Sequence, residues 1–120
     1  MNEYQNKLKK KMNEYAHFTY KQTKNFPKQE IYGSVSQWRR AALSVVLNYI
    51  EGYARRKTLV RLNFLEISYG SLMESIYLLN FSNEENFLEE KNHSEGLRLT
   101  NEIGAMLWTE ISKLEKNLIK

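Results

Sequence analysis

Two residue pairs have the spacing of metal ligands in helical bundles. Glu14 and His17 are three residues apart, as are Glu90 and His93, so the members of each pair would share one face of a helix. In di-iron bundles two such Glu-x-x-His pairs bind the metal together with one inward glutamate from each of the other two helices. The sequence thus contains half of a di-iron ligand set.

The two further carboxylates that such a site needs are not both present. The third predicted helix offers Glu74 at a suitable level, but the second has no carboxylate between residues 34 and 50. Glu51 follows only near the opposite end of the expected bundle. Because the ligand set is incomplete, we expect neither a metal site nor a cofactor.

Nucleophilic catalysis lacks its usual components as well. The chain has no cysteine, which excludes disulfides and thiolate metal sites, and no aspartate, so a catalytic triad would have to be Ser-His-Glu. Neither histidine accompanies a strained nucleophile turn, and no glycine-rich loop could hold a phosphate. We therefore expect two surface or partly buried helical histidines, no catalytic residues and no enzymatic activity.

The elements that position these residues are predicted to be long helices. The chain has 120 residues, enough for one domain, with one proline and five glycines. Apolar residues recur at three- and four-residue steps in four stretches, which is the helical period. They predict helices over 3–24, 34–52 and 58–80, and a fourth from about 83 or from Ser94. Short connections favour an all-α, antiparallel up-down-up-down four-helix bundle, with residues 1–120 as its single domain.

Capping patterns place several of these boundaries. Ser34 with Gln37, and Ser82 with Glu85, have the spacing of a capping box at the start of helices 2 and 4. Gly52 is expected to close helix 2. The segment from Asn92 to Gly96 could break or kink helix 4.

Helices 2 and 3 are apolar over more than one face, which predicts self-association. Gly70 and Ser71 lie in the middle of helix 3, where small residues either are merely tolerated or let a neighbouring backbone approach. We favour close packing at these two residues. The protein is accordingly expected to be a homo-oligomer.

Charge is distributed unevenly along the chain. Residues 1–61 carry 13 Lys and Arg against 4 Glu, whereas residues 62–120 carry 5 against 10. In an up-down bundle the termini and the connection between helices 2 and 3 share one end. We call this end the basic pole; it comprises Lys7, Lys9, Lys10, Lys11, Arg55, Arg56, Lys57, Lys116 and Lys120. The opposite pole would carry Glu84, Glu85, Glu89 and Glu90.

Repeated around an oligomer, the basic pole could bind the phosphates of RNA or DNA. The candidate contacts are Arg55, Arg56 and Lys57, with Lys9, Lys10 and Lys11 beside them. Such contacts would hold a nucleic acid without reading its sequence. The alternative is a solvated, charge-balanced surface on a protein that acts as a protein–protein scaffold or accessory subunit.

A family resemblance covers most of the chain. The matching residues are Tyr20, Thr23, Phe26-Pro27, Glu30, Tyr32-Gly33, Gln37, Arg39 to Ala42, Ser44, Asn48, Glu51-Gly52, Arg55, Phe64-Leu65, Ile67, Gly70-Ser71 and Glu74, with Ile103-Gly104 and Met106-Leu107 in helix 4. In type and spacing they resemble the four-helix-bundle proteins encoded in intervening sequences of bacterial large-subunit ribosomal RNA genes. The chain departs from that pattern at Val46, where members usually have proline, and at Lys57-Thr58-Leu59-Val60, which replaces Ser-Pro-x-Glu and leaves Thr58 as a weaker cap.

The resemblance implies a four-helix bundle that forms a ring-like homopentamer and has no enzymatic activity. Related bundles are accessory proteins of the reverse transcriptases of diversity-generating retroelements, where a basic surface is thought to engage nucleic acid. Possible partners are therefore other copies of the chain, RNA or DNA, and a larger nucleic-acid-processing protein.

Polar residues of the matching set are candidates for the oligomer interface. They are Tyr32, Gln37, Arg39, Arg40, Asn48, Glu51, Gly70 and Ser71. We favour intersubunit hydrogen bonds and ion pairs for the arginines and Glu51, and ligand binding is the alternative.

No apolar run follows the N-terminal lysines, as a secretory signal would require, and none approaches the roughly 20 residues of a membrane span. The expected location is the cytoplasm, without a membrane partner.

Overall fold

The computed structural model describes residues 1–119, and within them it consists of four long helices and no strand. Lys120, which was assigned to the basic pole, lies outside the described residues. The helices are α1 (Glu3–Thr23), α2 (Ser36–Ala54), α3 (Thr58–Glu84) and α4 (Glu90–Ile119). A 3₁₀ turn (Lys28–Glu30) and a π turn (Ile31–Val35) connect α1 to α2. The predicted all-α class is confirmed.

Each helix packs against two neighbours: α2 and α4 both contact α1 and α3. The resulting bundle is elongated, with a longest extent of 50 Å. Its core consists mainly of residues from the apolar stripes seen in the sequence, such as Leu8, Met12, Val45, Leu72 and Ile103, all fully buried. A second cluster around Trp38 closes the end opposite the chain termini.

Three buried polar side chains connect three helices where the main core meets the cluster around Trp38. The indole Nε1 of Trp38 in α2 donates to the Tyr15 hydroxyl in α1, over 3.0 Å. That hydroxyl donates to Ser75 Oγ in α3, also over 3.0 Å, and Ser75 donates to the Leu72 carbonyl. All three side chains are fully buried, so the chain of hydrogen bonds satisfies groups that water cannot reach.

The start of α1 is capped as a helix in water should be. The Asn2 side chain accepts from the Gln5 backbone N–H, while the Gln5 side chain accepts from the Asn2 N–H.

The predicted capping box at Ser34, by contrast, is wrong. Ser34 lies inside the π turn and its hydroxyl donates to Glu30 Oε1 over 2.7 Å. The kink at Gly33 delays the start of α2 to Ser36.

The predicted capping box at Ser82 is also wrong. Ser82 is buried inside α3, and its hydroxyl donates to the Leu78 carbonyl one turn earlier, which is how a serine is accommodated within a helix. α3 ends instead near Asn86, whose positive φ of 63° is a conformation that asparagine tolerates better than most residues. α4 then runs without a break from Glu90, so neither residue 83 nor Ser94 starts it, and the segment from Asn92 to Gly96 does not interrupt it.

Gly52 does not end α2. The helix continues to Ala54, and Gly52 is buried where α3 passes close by. A Cβ atom on Gly52 would lie 2.6 Å from Leu65 Cδ1 and 3.2 Å from the Arg61 carbonyl oxygen. Thr58 is not a cap either: it is the first residue of α3, and no side chain caps that helix at Lys57. α2 runs unbroken through Val46, as the absence of proline there predicts.

We predict that Tyr15→Phe lowers the free energy of unfolding by about 1–3 kcal/mol, because it leaves the Trp38 indole N–H buried without an acceptor. Chemical denaturation followed by far-UV circular dichroism measures the change. Tyr69→Phe, at a half-buried tyrosine of α3 whose ring packs on Trp108, is the matched control and should be nearly neutral. Equal losses in the two variants would contradict the prediction.

Gly52→Ala is predicted to destabilise the fold by on the order of 1–3 kcal/mol, because the new methyl group overlaps atoms of α3. Gly104→Ala is the control, since its Cβ would meet only Leu72 Cδ2 at an ordinary 3.6 Å. This second change should raise stability by up to about 1 kcal/mol, the helix-propensity difference between alanine and glycine. Thermal melting of both variants should therefore show shifts of opposite sign.

Candidate nucleic-acid interface

The structure brings the parts of the predicted basic pole to one end of the bundle. The start of α1, the end of α2 and the end of α4 together line a cavity of about 210 Å³. Its walls include Asn2 and Tyr4 from α1, Tyr53 from α2, and Lys113 and Asn117 from α4. The connection Arg55 to Lys57 follows Tyr53 directly and therefore lies at this end too.

Two arginines give this connection its shape. Arg55 forms an ion pair with Glu51 one turn earlier and lies 5.2 Å above the ring centre of Phe64. Arg61 donates to the carbonyls of Gly52 and Arg55, and its guanidinium lies 4.7 Å above the Tyr53 ring. The backbone of the connection is thus hydrogen-bonded to the first turns of α3. Arg55 is consequently less available for phosphate than the sequence predicted.

Arg56 and Lys57 are in a different situation. Both are exposed, and neither forms an ion pair with any of the residues 1–119 that the structure describes. They extend from a connection of only three residues between two long helices. They are therefore open to contact with a phosphate, as are the exposed Lys7 and Lys116 of this pole.

Lys9, Lys10 and Lys11 lie within α1, and as consecutive helical residues their side chains point in different directions around the helix axis. Lys9 and Lys10 are exposed, whereas Lys11 is half-buried and its Nζ lies 2.7 Å from Glu102 Oε2. Glu102 also accepts from Arg98, and these hydrogen bonds hold the pKa of its carboxyl below the ordinary value. Lys11 is thus already paired with α4, unlike its two neighbours.

The opposite end is less uniformly acidic than predicted. Glu84, Glu85, Glu89 and Glu90 are exposed there, around the connection between α3 and α4. The segment that follows α1 lies at the same end of the bundle and adds the exposed Lys24 and Lys28.

Several residues of the predicted interface set make contacts within the chain. Arg39 donates from Nε to Thr23 Oγ1 over 2.8 Å and lies above the Tyr20 ring. Asn48 Nδ2 donates to both the carbonyl and the hydroxyl of Ser44, and Ser44 is 2.7 Å from Ser71. These contacts fasten α2 to α1 on one side and to α3 on the other.

Other members of that set face outward. Tyr32 is 95% exposed, Gln37 and Arg40 are exposed, and a Cβ on Gly70 would meet no atom within 4 Å. The close approach predicted at Gly70 is therefore absent within the chain. Large apolar side chains of α2 and α3 are exposed as well; they include Leu47, Ile50, Ile67, Met73 and Tyr77.

The residues of the incomplete di-iron pattern do not converge. Glu14, His17 and Glu74 are exposed, and His93, which is half-buried, has its Nε2 2.8 Å from Asn80 Oδ1. Among residues 1–119, no three histidine or carboxylate side chains are grouped so that they could hold a metal ion. Both histidines are surface or partly buried helical residues, as predicted.

Sequence reasoning missed a buried carboxylate beside the cavity at the basic pole. Glu110 in α4 is 5% exposed and accepts hydrogen bonds from the hydroxyls of Tyr49 and Tyr53 in α2. Burial, and next the hydrogen bond to this carboxylate, raise the pKa of both tyrosines above the ordinary value. The spacing held a signal, because Glu110 follows Leu107 by three residues and so falls on the apolar face of α4.

The comparisons with known proteins agree with this architecture. The family model described as "23S rRNA-intervening sequence protein" matches residues 4–109. The chain therefore belongs to the 23S rRNA intervening sequence protein family, a family without an established activity.

A solved structure supports the fold independently. A crystal structure at 1.70 Å of a protein with unknown function, from the S23 ribosomal protein family of Bacteroides thetaiotaomicron VPI-5482, superposes with a TM-score of 0.78 at 21% identity. The match covers 87% of this chain and 97% of that one. No curated protein gives a significant match. In the part of the chain that the structure describes, no helix is long and apolar enough to cross a membrane.

We predict that the buried tyrosines make the fold sensitive to alkaline pH. Burial raises the pKa of Tyr15, Tyr49 and Tyr53 in the folded state, so these hydroxyls keep their protons while an unfolded chain would release them above pH of about 10. The stability they contribute is complete below that pH and is lost as the pH rises further.

Tyrosinate absorbance near 295 nm, recorded with circular dichroism during an alkaline titration, tests this. Part of the absorbance change should coincide with loss of helix, while the same titration in denaturant should show a single earlier transition. Complete ionisation of all tyrosines with the helices intact would contradict the prediction.

Proposed function

We propose that the protein is a non-enzymatic, homo-oligomeric module of the cytoplasm that binds RNA or DNA through its basic pole. The observation that carries the proposal is the pair Arg56 and Lys57, exposed and without an ion pair among the described residues, on a short and well-anchored connection. Lys9 and Lys10 would add to the same surface from α1.

The chemistry of such a surface suits the nucleic-acid backbone. Arginine can donate two parallel hydrogen bonds to a phosphate, and lysine contributes a mobile point charge. Neither reads a base from this position, so binding would be weak per subunit and independent of sequence. An oligomer of the kind that the family resemblance implies, a pentameric ring, would present several copies at once and strengthen binding through multivalency.

A protein–protein scaffold, or an accessory subunit of a larger nucleic-acid-processing protein, is the second candidate. The exposed apolar side chains of α2 and α3 favour it, since single scattered residues are ordinary but a row along two helices is not. Salt distinguishes the two functions: phosphate contacts weaken steeply as ionic strength rises, whereas apolar contacts do not.

We predict that Arg56→Ala with Lys57→Ala lowers affinity for a generic structured RNA and a duplex DNA by about tenfold or more at low salt. Binding releases roughly one counterion from the nucleic acid for each protein cation that contacts a phosphate, and the variant lacks two such cations. The slope of log affinity against log salt concentration is negative, and its magnitude should become smaller by about two per bound subunit. Fluorescence anisotropy at several salt concentrations measures both.

The matched control removes two exposed lysines near the opposite end, Lys21→Ala with Lys28→Ala, at equal cost in net charge. Binding by the control should be reduced much less. Equal losses in both variants would show that only net charge matters. No binding by the wild type at low salt would remove the nucleic-acid function and favour the scaffold.

A further inference from the structure

A continuous apolar groove runs along the outside of α1 and α2. One depression of about 360 Å³ is lined by residues such as Ala16 and His17, and a second of about 470 Å³ by residues such as Val35 and Tyr32. Tyr20 and Leu43 line both depressions, so the two form one groove. We call it the α1/α2 groove.

The rim of this groove is basic. Lys24 lines one depression, and Arg39 and Arg40 line the other. Among the described residues, no glutamate lines either depression. Lys24 and Arg40 are exposed and form no ion pair with residues 1–119. An occupant of the groove should therefore combine an apolar ridge with negative charge.

The outward face of α3 has these properties. Ile67, Met73 and Tyr77 are 51, 42 and 67% exposed, and Gly70 lies among them with open space above it. The four residues follow one another at three- and four-residue steps and therefore share one side of the helix. We call this side the α3 ridge.

The charge of the α3 ridge is opposite to that of the groove. Between Leu62 and Glu84 every charged residue is a glutamate, namely Glu66, Glu74 and Glu84, and all three are exposed. An apolar helix face in an apolar groove, with acidic residues opposite a basic rim, is a common mode of helix recognition. The gap above Gly70 would let a groove residue of another chain approach the α3 backbone closely.

We propose that the α3 ridge of one copy of this chain docks in the α1/α2 groove of the next copy. The inference rests on the homo-oligomer of the proposed function and specifies its interface. Because the ridge and the groove are different surfaces of one chain, the contact is heterologous: each copy offers its ridge to one neighbour and its groove to another. Repetition of such a contact closes into a ring when the rotation between neighbours permits it.

Two variants test the assignment, each blocking one surface. Gly70→Trp places a bulky, uncharged ring on the ridge, where the Cβ has free space and the fold should tolerate it. Leu43→Glu places an acid in the groove, against the acidic ridge. The mass of each variant is measured by light scattering after size-exclusion chromatography, and folding is checked by circular dichroism. Arg40→Glu replaces Leu43→Glu if the latter unfolds.

Each variant alone should be monomeric. Mixed in equal amounts they should form a complex of two chains and no larger, because only the intact ridge of the groove variant and the intact groove of the ridge variant can meet. In an isologous interface, two copies would use ridge and groove together in a single contact. The ridge variant and the groove variant would then bring both damaged surfaces into that contact, so the mixture would give no complex. A mixture that stays monomeric therefore overturns the proposal.

Matched controls place the same changes elsewhere: Ala105→Trp on the exposed side of α4, and Leu118→Glu near its end. Both should keep the wild-type mass. If the ridge and groove variants also keep it, this interface is wrong while the oligomer of the proposed function stands. If the wild type itself is monomeric, that oligomer and this interface are both wrong, and nucleic-acid binding is judged separately by its salt dependence.

Discussion

The hydrogen bonds that connect Trp38, Tyr15 and Ser75 set the register of the bundle. An apolar core tolerates repacking as long as its volume and pattern are kept, and it then loses uniqueness before it loses stability. A buried indole N–H and a buried hydroxyl tolerate far less, since each loses its partner when a helix shifts by a fraction of a turn. The same three helices carry the short connection at one end and the outward faces of α2 and α3 along the side. The placement of the α1/α2 groove relative to the α3 ridge therefore depends on this register.

The helical period was enough to predict the four helices, the bounds of α1 and the start of α3, but not the starts of α2 and α4 or the end of α3. Burial of apolar side chains is the main favourable contribution to the stability of a helical bundle. The sequence therefore contains clear apolar stripes at the helical period. Serine at a helix start and serine buried inside a helix look alike in one dimension, and Ser82 shows the difference: it bonds back to Leu78 within α3. The role of Gly52 was predicted wrongly for a similar reason. The sequence alone does not distinguish a glycine that ends a helix from a glycine that lets a neighbouring helix pass close by.

The candidate surface was predictable in position and less so in detail. Counting charges along the chain located the end that carries Arg55, Arg56 and Lys57, since an up-down topology brings the termini to the same end. The charge count could not show that Arg55 is paired with Glu51, or that Lys11 is paired with Glu102. Ion pairing depends on distances between helices, which composition does not contain. The burial of Glu110 was not predicted, because a single acid within an apolar stripe has the same spacing as a residue at the edge of that stripe.

The three-residue connection between α2 and α3 also bears on how the molecule folds. A short loop loses little entropy on closing, so these two helices can pair before distant parts of the chain meet. α1 and α4 lie at opposite ends of the sequence and contact each other, which makes their meeting the late, non-local event. Arg56 and Lys57 thus belong to the part expected to form first. A partly folded chain, with its terminal helices still undocked, would already display these cations in their final arrangement.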